Sequence, residues 1–127
     1  MMKKILIVGG SGTIGSAFIN EFYNDYEFSS ISRNELMQAE LKTKFPKVNI
    51  YFSDIESQDN LTTIFLKVKP DVVIHMAAMK HVNLAEENPI NACKVNVLGS
   101  LNVISASVRA NVPITIAIST DKACFPE

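Results

Sequence analysis

Residues 4–15 read KILIVGGSGTIG, an apolar run that ends at three glycines spaced three apart, Gly9, Gly12 and Gly15. Lys4 to Val8 has the unbroken apolar character of a strand covered on both faces. Beyond the glycines, Ile14, Ala17, Phe18 and Phe22 recur at helical spacing and predict an amphipathic helix with these residues on its buried stripe. In a strand, glycine-rich turn and helix, the first glycine permits the tight turn and the second lets a pyrophosphate touch the backbone. The third lets helix pack on strand. The helix start adds free N–H groups and a positive dipole, so Gly9, Gly12, Thr13, Ile14 and Gly15 are predicted cofactor contacts. Gly10 also completes a G-x-G-x-x-G reading, and the spacing alone leaves both subfamilies open. An ordinary glycine turn shares the spacing, but the strand before it and the helix after it favour dinucleotide binding.

Outward from this unit, apolar and amphipathic stretches alternate to the end of the chain. Further strands are predicted at Phe28 to Ser32, Val48 to Phe52, Val72 to His75 and Ile114 to Ser119. Helices are predicted from about Asn34 to Phe45, ended by Pro46, and from Gln58 to Val68, with Ser57 as N-cap and Pro70 beyond. A fourth and longest helix enters at Asn88-Pro89 and runs to about Ala110. At about 100° per residue, Ala92, Val95, Gly99, Val103 and Ala106 share one stripe of it, and Val97, Leu101, Ile104 and Val108 the opposite one. The first stripe is expected on the sheet and the second against another subunit, a homo-oligomer through Pro89 to Ala110. Doubly covered strands alternating with helices predict an α/β fold, a doubly wound parallel sheet. Its ligand crevice lies at the carboxyl end of the first strand.

The 127 residues, 47% of them hydrophobic, suffice for one compact domain with a core, which excludes disordered and fibrous classes. With 12 basic and 13 acidic residues spread along the chain there is no basic face for nucleic acid or an anionic membrane. Any bound anion must be held locally. Cys93 and Cys124 show neither C-x-x-C spacing nor a zinc pattern, which fits a reducing cytoplasm; no metal site is expected. The MMKK-ILIV opening is too short in apolar residues for a signal peptide, and no run approaches the roughly 18 residues of a spanning helix.

An Asp or Glu that binds the ribose of NAD ordinarily ends the second strand. Here Ser32 and Arg33 stand in that place, and a guanidinium beside a hydroxyl suits the 2′-phosphate of NADP. A solvated surface arginine is the alternative, and Glu35 lies close enough to blur the distinction. After the third strand, Asp54-Ile55 stands where a carboxylate meets an adenine amino group, or where it caps an approaching helix.

With these pieces placed, the chain resembles the extended short-chain dehydrogenase/reductases over essentially its whole length, through GGSGTIG, DVVIHMAA and the N-x-x-G of Asn96 to Gly99. More narrowly, AAMKHV with ISTDKACFPE is similar to bacterial UDP-N-acetylglucosamine 4,6-dehydratases and their sugar-nucleotide epimerase relatives. The resemblance implies that Ala77 and Ala78 lie along the cofactor, that Lys80 faces the UDP-sugar and that Asn96 organises the active-site end of the long helix. His75 reads as a strand-end hydrogen bonder, His81 as a loop residue.

For Thr120, Asp121 and Lys122, the resemblance implies catalysis: the hydroxyl orients the sugar, Asp121 protonates the departing C6 oxygen and Lys122 removes the C5 proton. The parent reaction oxidises C4, eliminates water across C5 and C6 and returns the hydride to C6. A lysine serves as base only if desolvation or a neighbouring cation lowers its pKa, and a closed pocket beside a cationic nicotinamide supplies both. An exposed lysine paired with Asp121 is the bland alternative.

The family's Tyr-x-x-x-Lys pair is not found in the 127 residues. The chain therefore reads as a partial dinucleotide-binding domain over residues 1–127, the amino-terminal cofactor part of a longer cytoplasmic enzyme of glycan synthesis, itself inactive. A sugar-nucleotide epimerase and a non-catalytic NADP-sensing module are the rivals. The STDK stretch argues against a sensor, which needs no acid and base beside a nicotinamide.

Overall fold

The computed structural model describes residues 2–77 and 86–118. Five parallel strands form one sheet: β1 (Lys4–Val8), β2 (Glu27–Ser32), β3 (Asn49–Phe52), β4 (Val72–His75) and β5 (Ile114–Ala117), in the order β3-β2-β1-β4-β5. The chain winds outward from β1 to β3, then crosses back to place β4 on the other side of β1. Register keeps the carboxyl ends level, with Val8 opposite both Ile31 and His75, and Ser32 opposite Phe52. The connections thus diverge on either side of β1 and leave a crevice above its end, where open α/β sheets bind ligands.

The apolar runs are explained by burial on both faces. Side chains alternate along a strand. Ile5 and Ile7 pack with Ile19, Phe28, Leu41 and Ile74 on one face, while Leu6 and Val8 pack with Ile31, Leu61, Phe65, Val73 and Val103 on the other. Helices α1 (Thr13–Phe22) and α2 (Glu35–Lys44) cover the first face, α3 (Gln58–Val68) and α5 (Gly99–Arg109) the second. The predicted doubly wound α/β fold is the observed one.

Local chemistry sets the helix ends. Asn34 caps α2, its side-chain oxygen accepting from the Met37 N–H at 3.0 Å, and the helix stops at Phe45 before Pro46. Lys69, left-handed at φ 51°, closes α3 ahead of Pro70. The long helix is one continuous run in three parts: α4 (Pro89–Cys93), a π-helical turn (Lys94–Leu98) and α5.

Several expectations are corrected. In α1 the buried residues are Gly15 and Ile19, with Phe18 and Phe22 only partly covered, whereas Ile14 is 56% exposed and Ala17 also faces outward. Helical period alone did not reveal the rotation of α1; the glycine turn sets it, bringing Gly15 against the backbone of Gly10. Ser57 stands at the N-cap of α3 without a side-chain cap bond. Strand β2 begins one residue earlier than predicted and β3 one later, while Ser119 lies outside the described residues. Among the described residues no helix is long and apolar enough to cross a membrane.

Candidate functional site

The glycine turn is built so tightly that side chains would break it. Gly9 has φ +92°, and a Cβ there would sit 3.0 Å from the Ala77 nitrogen, so the turn backs directly onto the end of β4. Its N–H donates to the Ile31 carbonyl at 2.8 Å, and the Gly12 N–H donates to the Gly9 carbonyl at 3.2 Å. A Cβ on Gly15 would lie 2.6 Å from the Gly10 oxygen, and one on Gly10 would lie 2.6 Å from Ser30 Oγ. Gly9 is required by conformation, Gly10 and Gly15 by packing. Gly12, common to both spacings, has an ordinary extended backbone at φ −73° and lines the cavity.

Above this turn opens a cavity of about 240 Å³. It joins predicted residues from four strand ends: Gly9 and Gly12 after β1, Ser32 and Arg33 at β2, Asp54 and Ile55 after β3, and Ala77 after β4. Whole small-molecule sites span roughly 300–1,000 Å³, so this volume suits part of a ligand. Thr13 and Ile14 begin α1 and are exposed outside the lining, and Gly15 is buried beneath the turn. Asn96 stands on the π-helical turn, also outside the lining; its carbonyl accepts from Ser100 Oγ at 2.7 Å. Ala78, Lys80, Thr120, Asp121 and Lys122, like His81 and Cys124, lie outside the described residues.

Sequence reasoning missed part of the wall. Ser11, Asn34, Met37, Ser53, Met76 and Val95 also line the cavity. Asn34 and Met37 had a signal, since a cap immediately after β2 delivers the first turn of α2 to the crevice. Val95 had none, because only the packing of the long helix brings it there.

Across the cavity rim Arg33 Nη1 and Asp54 Oδ2 approach to 3.7 Å, with side chains 66% and 43% exposed. An ion pair so wet is worth little, about 0–1 kcal/mol, and an anionic ligand can exchange for it. Asp54 also turns the chain, its Oδ1 accepting from the Glu56 N–H at 3.1 Å.

At the end of β4, His75 is buried, and its Nε2 lies 3.0 Å from Ser100 Oγ. The one hydroxyl proton of Ser100 goes to the Asn96 carbonyl, so the oxygen accepts from a protonated Nε2. The neutral tautomer follows, with a bare Nδ1 that is buried and has no partner among the described residues. Burial lowers the His75 pKa from its ordinary 6.5. His75 is a strand-end hydrogen bonder, as the sequence suggested, and ties β4 to the start of α5.

An open parallel sheet whose glycine turn and strand ends enclose a cavity beside the switch point defines a Rossmann-like protein. The chain belongs to the polysaccharide biosynthesis protein family, which matches residues 5–127. It is 40% identical over 98% of its length to a UDP-N-acetylglucosamine 4,6-dehydratase (inverting) of Campylobacter jejuni, and it spans 38% of that relative's length. Among solved structures it is similar to Pen from Bacillus thuringiensis, at TM-score 0.89 and 32% identity over 98% of this chain and 39% of that one. It also superimposes on a Thermus thermophilus UDP-glucose 4-epimerase in complex with NAD, at TM-score 0.78 and 26% identity over 86% of this chain and 35% of that one.

Proposed function

We propose that this chain is the NADP-binding part of a sugar-nucleotide 4,6-dehydratase acting on a UDP-sugar such as UDP-N-acetylglucosamine in polysaccharide biosynthesis. The observation that carries the reading is the cavity itself, which gathers the glycine turn, Arg33 and Asp54 at the carboxyl ends of β1, β2 and β3. Its residues fit a dinucleotide. Gly9 and Gly12 hold the backbone where a pyrophosphate needs close approach, and the start of α1 offers the N–H groups of a helix N-terminus. Asp54 accepts from an adenine amino group. Arg33 exchanges its loose partner for the 2′-phosphate, and Ser32 adds a hydroxyl beside it. Ala77 lies along the cofactor.

When bound, the nicotinamide takes and returns a hydride. On this reading Thr120 orients the sugar, Asp121 gives a proton to the departing oxygen and Lys122 takes one from the neighbouring carbon, with Lys80 on the substrate; Ala78 lies along the cofactor and Asn96 organises the active-site end of the long helix. The 40% identity to a dehydratase supports this reaction over a non-catalytic sensor. The epimerase likeness keeps a second reading in place, the same oxidation with the hydride returned differently. Product analysis by NMR on the full-length enzyme separates the two.

The cofactor assignment is tested by titrating NADP and NAD into wild type and Arg33→Ala. Because Arg33 is 66% exposed, the variant should lose about 1.5 kcal/mol of NADP binding, the lower end for a charge-assisted contact, and leave NAD nearly unchanged. Equal losses for both cofactors would refute NADP preference.

A further inference from the structure

The cavity wall formed by Asp54 and Ile55 belongs to no strand or helix, so something else must hold it. The turn between β3 and α3 has three bonds of its own: Ser53 Oγ–H to the Asp54 carbonyl at 3.0 Å, Glu56 N–H to Asp54 Oδ1 at 3.1 Å and Ser57 N–H to the Asp54 carbonyl at 3.0 Å. Ser53 N–H ties its start to the Ser32 carbonyl of β2 at 3.4 Å, and the Ile55 and Glu56 carbonyls are held from α5, more than forty residues away. Asn102 Nδ2 donates to the Ile55 carbonyl at 2.9 Å and to the Glu56 carbonyl at 3.2 Å. With two carbonyls as acceptors, only the NH₂ group of the carboxamide satisfies both, which fixes its orientation. One turn earlier on the same helix, Gly99 leaves room for the Ile55 side chain, whose Cγ1 would lie 2.7 Å from any Cβ there. One turn later, Ser105 Oγ accepts from Gln58 Nε2 at 2.6 Å. Gly99, Asn102 and Ser105 are three apart and so form a single helix face laid along residues 55–58.

We propose that Asn102 is a positioning residue for the adenosine end of the cofactor site, clamping the Asp54–Glu56 turn to α5 through two adjacent backbone carbonyls. Asn102 does not line the cavity, so it acts on ligand affinity only through Asp54 and Ile55, which do. The proposal deepens the dinucleotide reading above and rests on it.

The test compares wild type, Asn102→Asp and Asn102→Ala in the full 127-residue chain. Asn102→Asp keeps the shape but offers carbonyls no donor, and Asn102→Ala removes the group. Amide hydrogen exchange at Glu56 and Ser57 should accelerate in both variants. ADP affinity by calorimetry should fall about tenfold, the equivalent of one or two neutral hydrogen bonds. Inorganic pyrophosphate, which needs the glycine turn and not this wall, should bind all three chains alike. Wild-type exchange rates in both variants, or faster exchange with unchanged ADP affinity, overturns the role of Asn102. A parallel loss for pyrophosphate points to general destabilisation and overturns it as well. Failure of the wild-type chain to bind ADP sinks the dinucleotide reading itself, a different result from binding that Asn102 does not influence.

Discussion

A methyl group on Gly15 would meet the Gly10 oxygen at 2.6 Å and Gly10 Cα at 2.8 Å, and both are backbone atoms that no rotamer change can move. Gly15→Ala should therefore push α1 off the turn and destabilise the fold by about 1–3 kcal/mol, as overpacking does. Urea denaturation checks the value. Gly10→Ala instead meets the Ser30 side chain, which is locked by its bond to buried Gln38 at 2.9 Å, so relief there also needs a second change. His75 makes a separate prediction. Its folded pKa lies below 6.5, so between those values the unfolded chain binds the extra proton and the folded one does not. The His75 contribution is thus complete above about pH 6.5 and erodes as the pH falls below it. Thermal melts from pH 8 to 5.5 should show this loss, and His75→Asn, less stable at pH 8, should lose less across the same range.

The long helix faces two environments. Gly99, Val103 and Ala106 are buried, with Ala92 and Val95 partly so, and Val103 and Ala106 pack with Leu6, Val8 and Leu61. Val97, Leu101, Ile104 and Val108 are each more than half exposed, on the stripe read from helical periodicity. Strand β5 adds Ile114 and Ile116, both exposed at the sheet edge. Exposed apolar side chains along one helix stripe are the kind of surface that association covers. We propose that the strip on the helix is where two copies of the chain meet. Light scattering should show a smaller species for Leu101→Glu with Ile104→Glu than for wild type; equal masses would remove the proposal. The π-helical turn had no sequence signal. It lies where His75, Ser100 and the Asn96 carbonyl connect, and π-turns occur disproportionately at functional sites.

At the scale of the whole chain, the proposed function separates cofactor binding from turnover. The cavity gathers the residues that the proposed function assigns to the adenosine and pyrophosphate of a dinucleotide. A Tyr-x-x-x-Lys pair is not found in the 127 residues, and the relative at 40% identity is more than twice as long. Loss of a general base alone removes roughly 10²- to 10⁴-fold in rate, and loss of positioning compounds it. The purified chain is therefore expected to bind NADP weakly in calorimetry and to form no product from UDP-N-acetylglucosamine. Measurable turnover would show that the proposed division of catalytic groups is wrong.

Local and periodic information was enough for much of this. KILIV followed by spaced glycines determined the first strand, turn and helix, because burial on both faces demands an unbroken apolar run and the turn demands glycine. Asn34, Pro46, Pro70 and Pro89 marked helix ends through backbone rules that act within a few residues. Arg33 and Asp54 were legible as crevice residues because they follow strands whose carboxyl ends must converge in a parallel sheet, whereas Ala77 came from the family resemblance. Only the tertiary structure decided the rotation of α1, which depends on Gly15 touching Gly10 rather than on hydrophobic period. The same holds for Val95 in the cavity wall, for the pairing of His75 with Ser100 and for the grip of Asn102 on Ile55 and Glu56. The last two contacts join residues far apart in sequence, and their geometry follows from how α5 settles onto the sheet and α3.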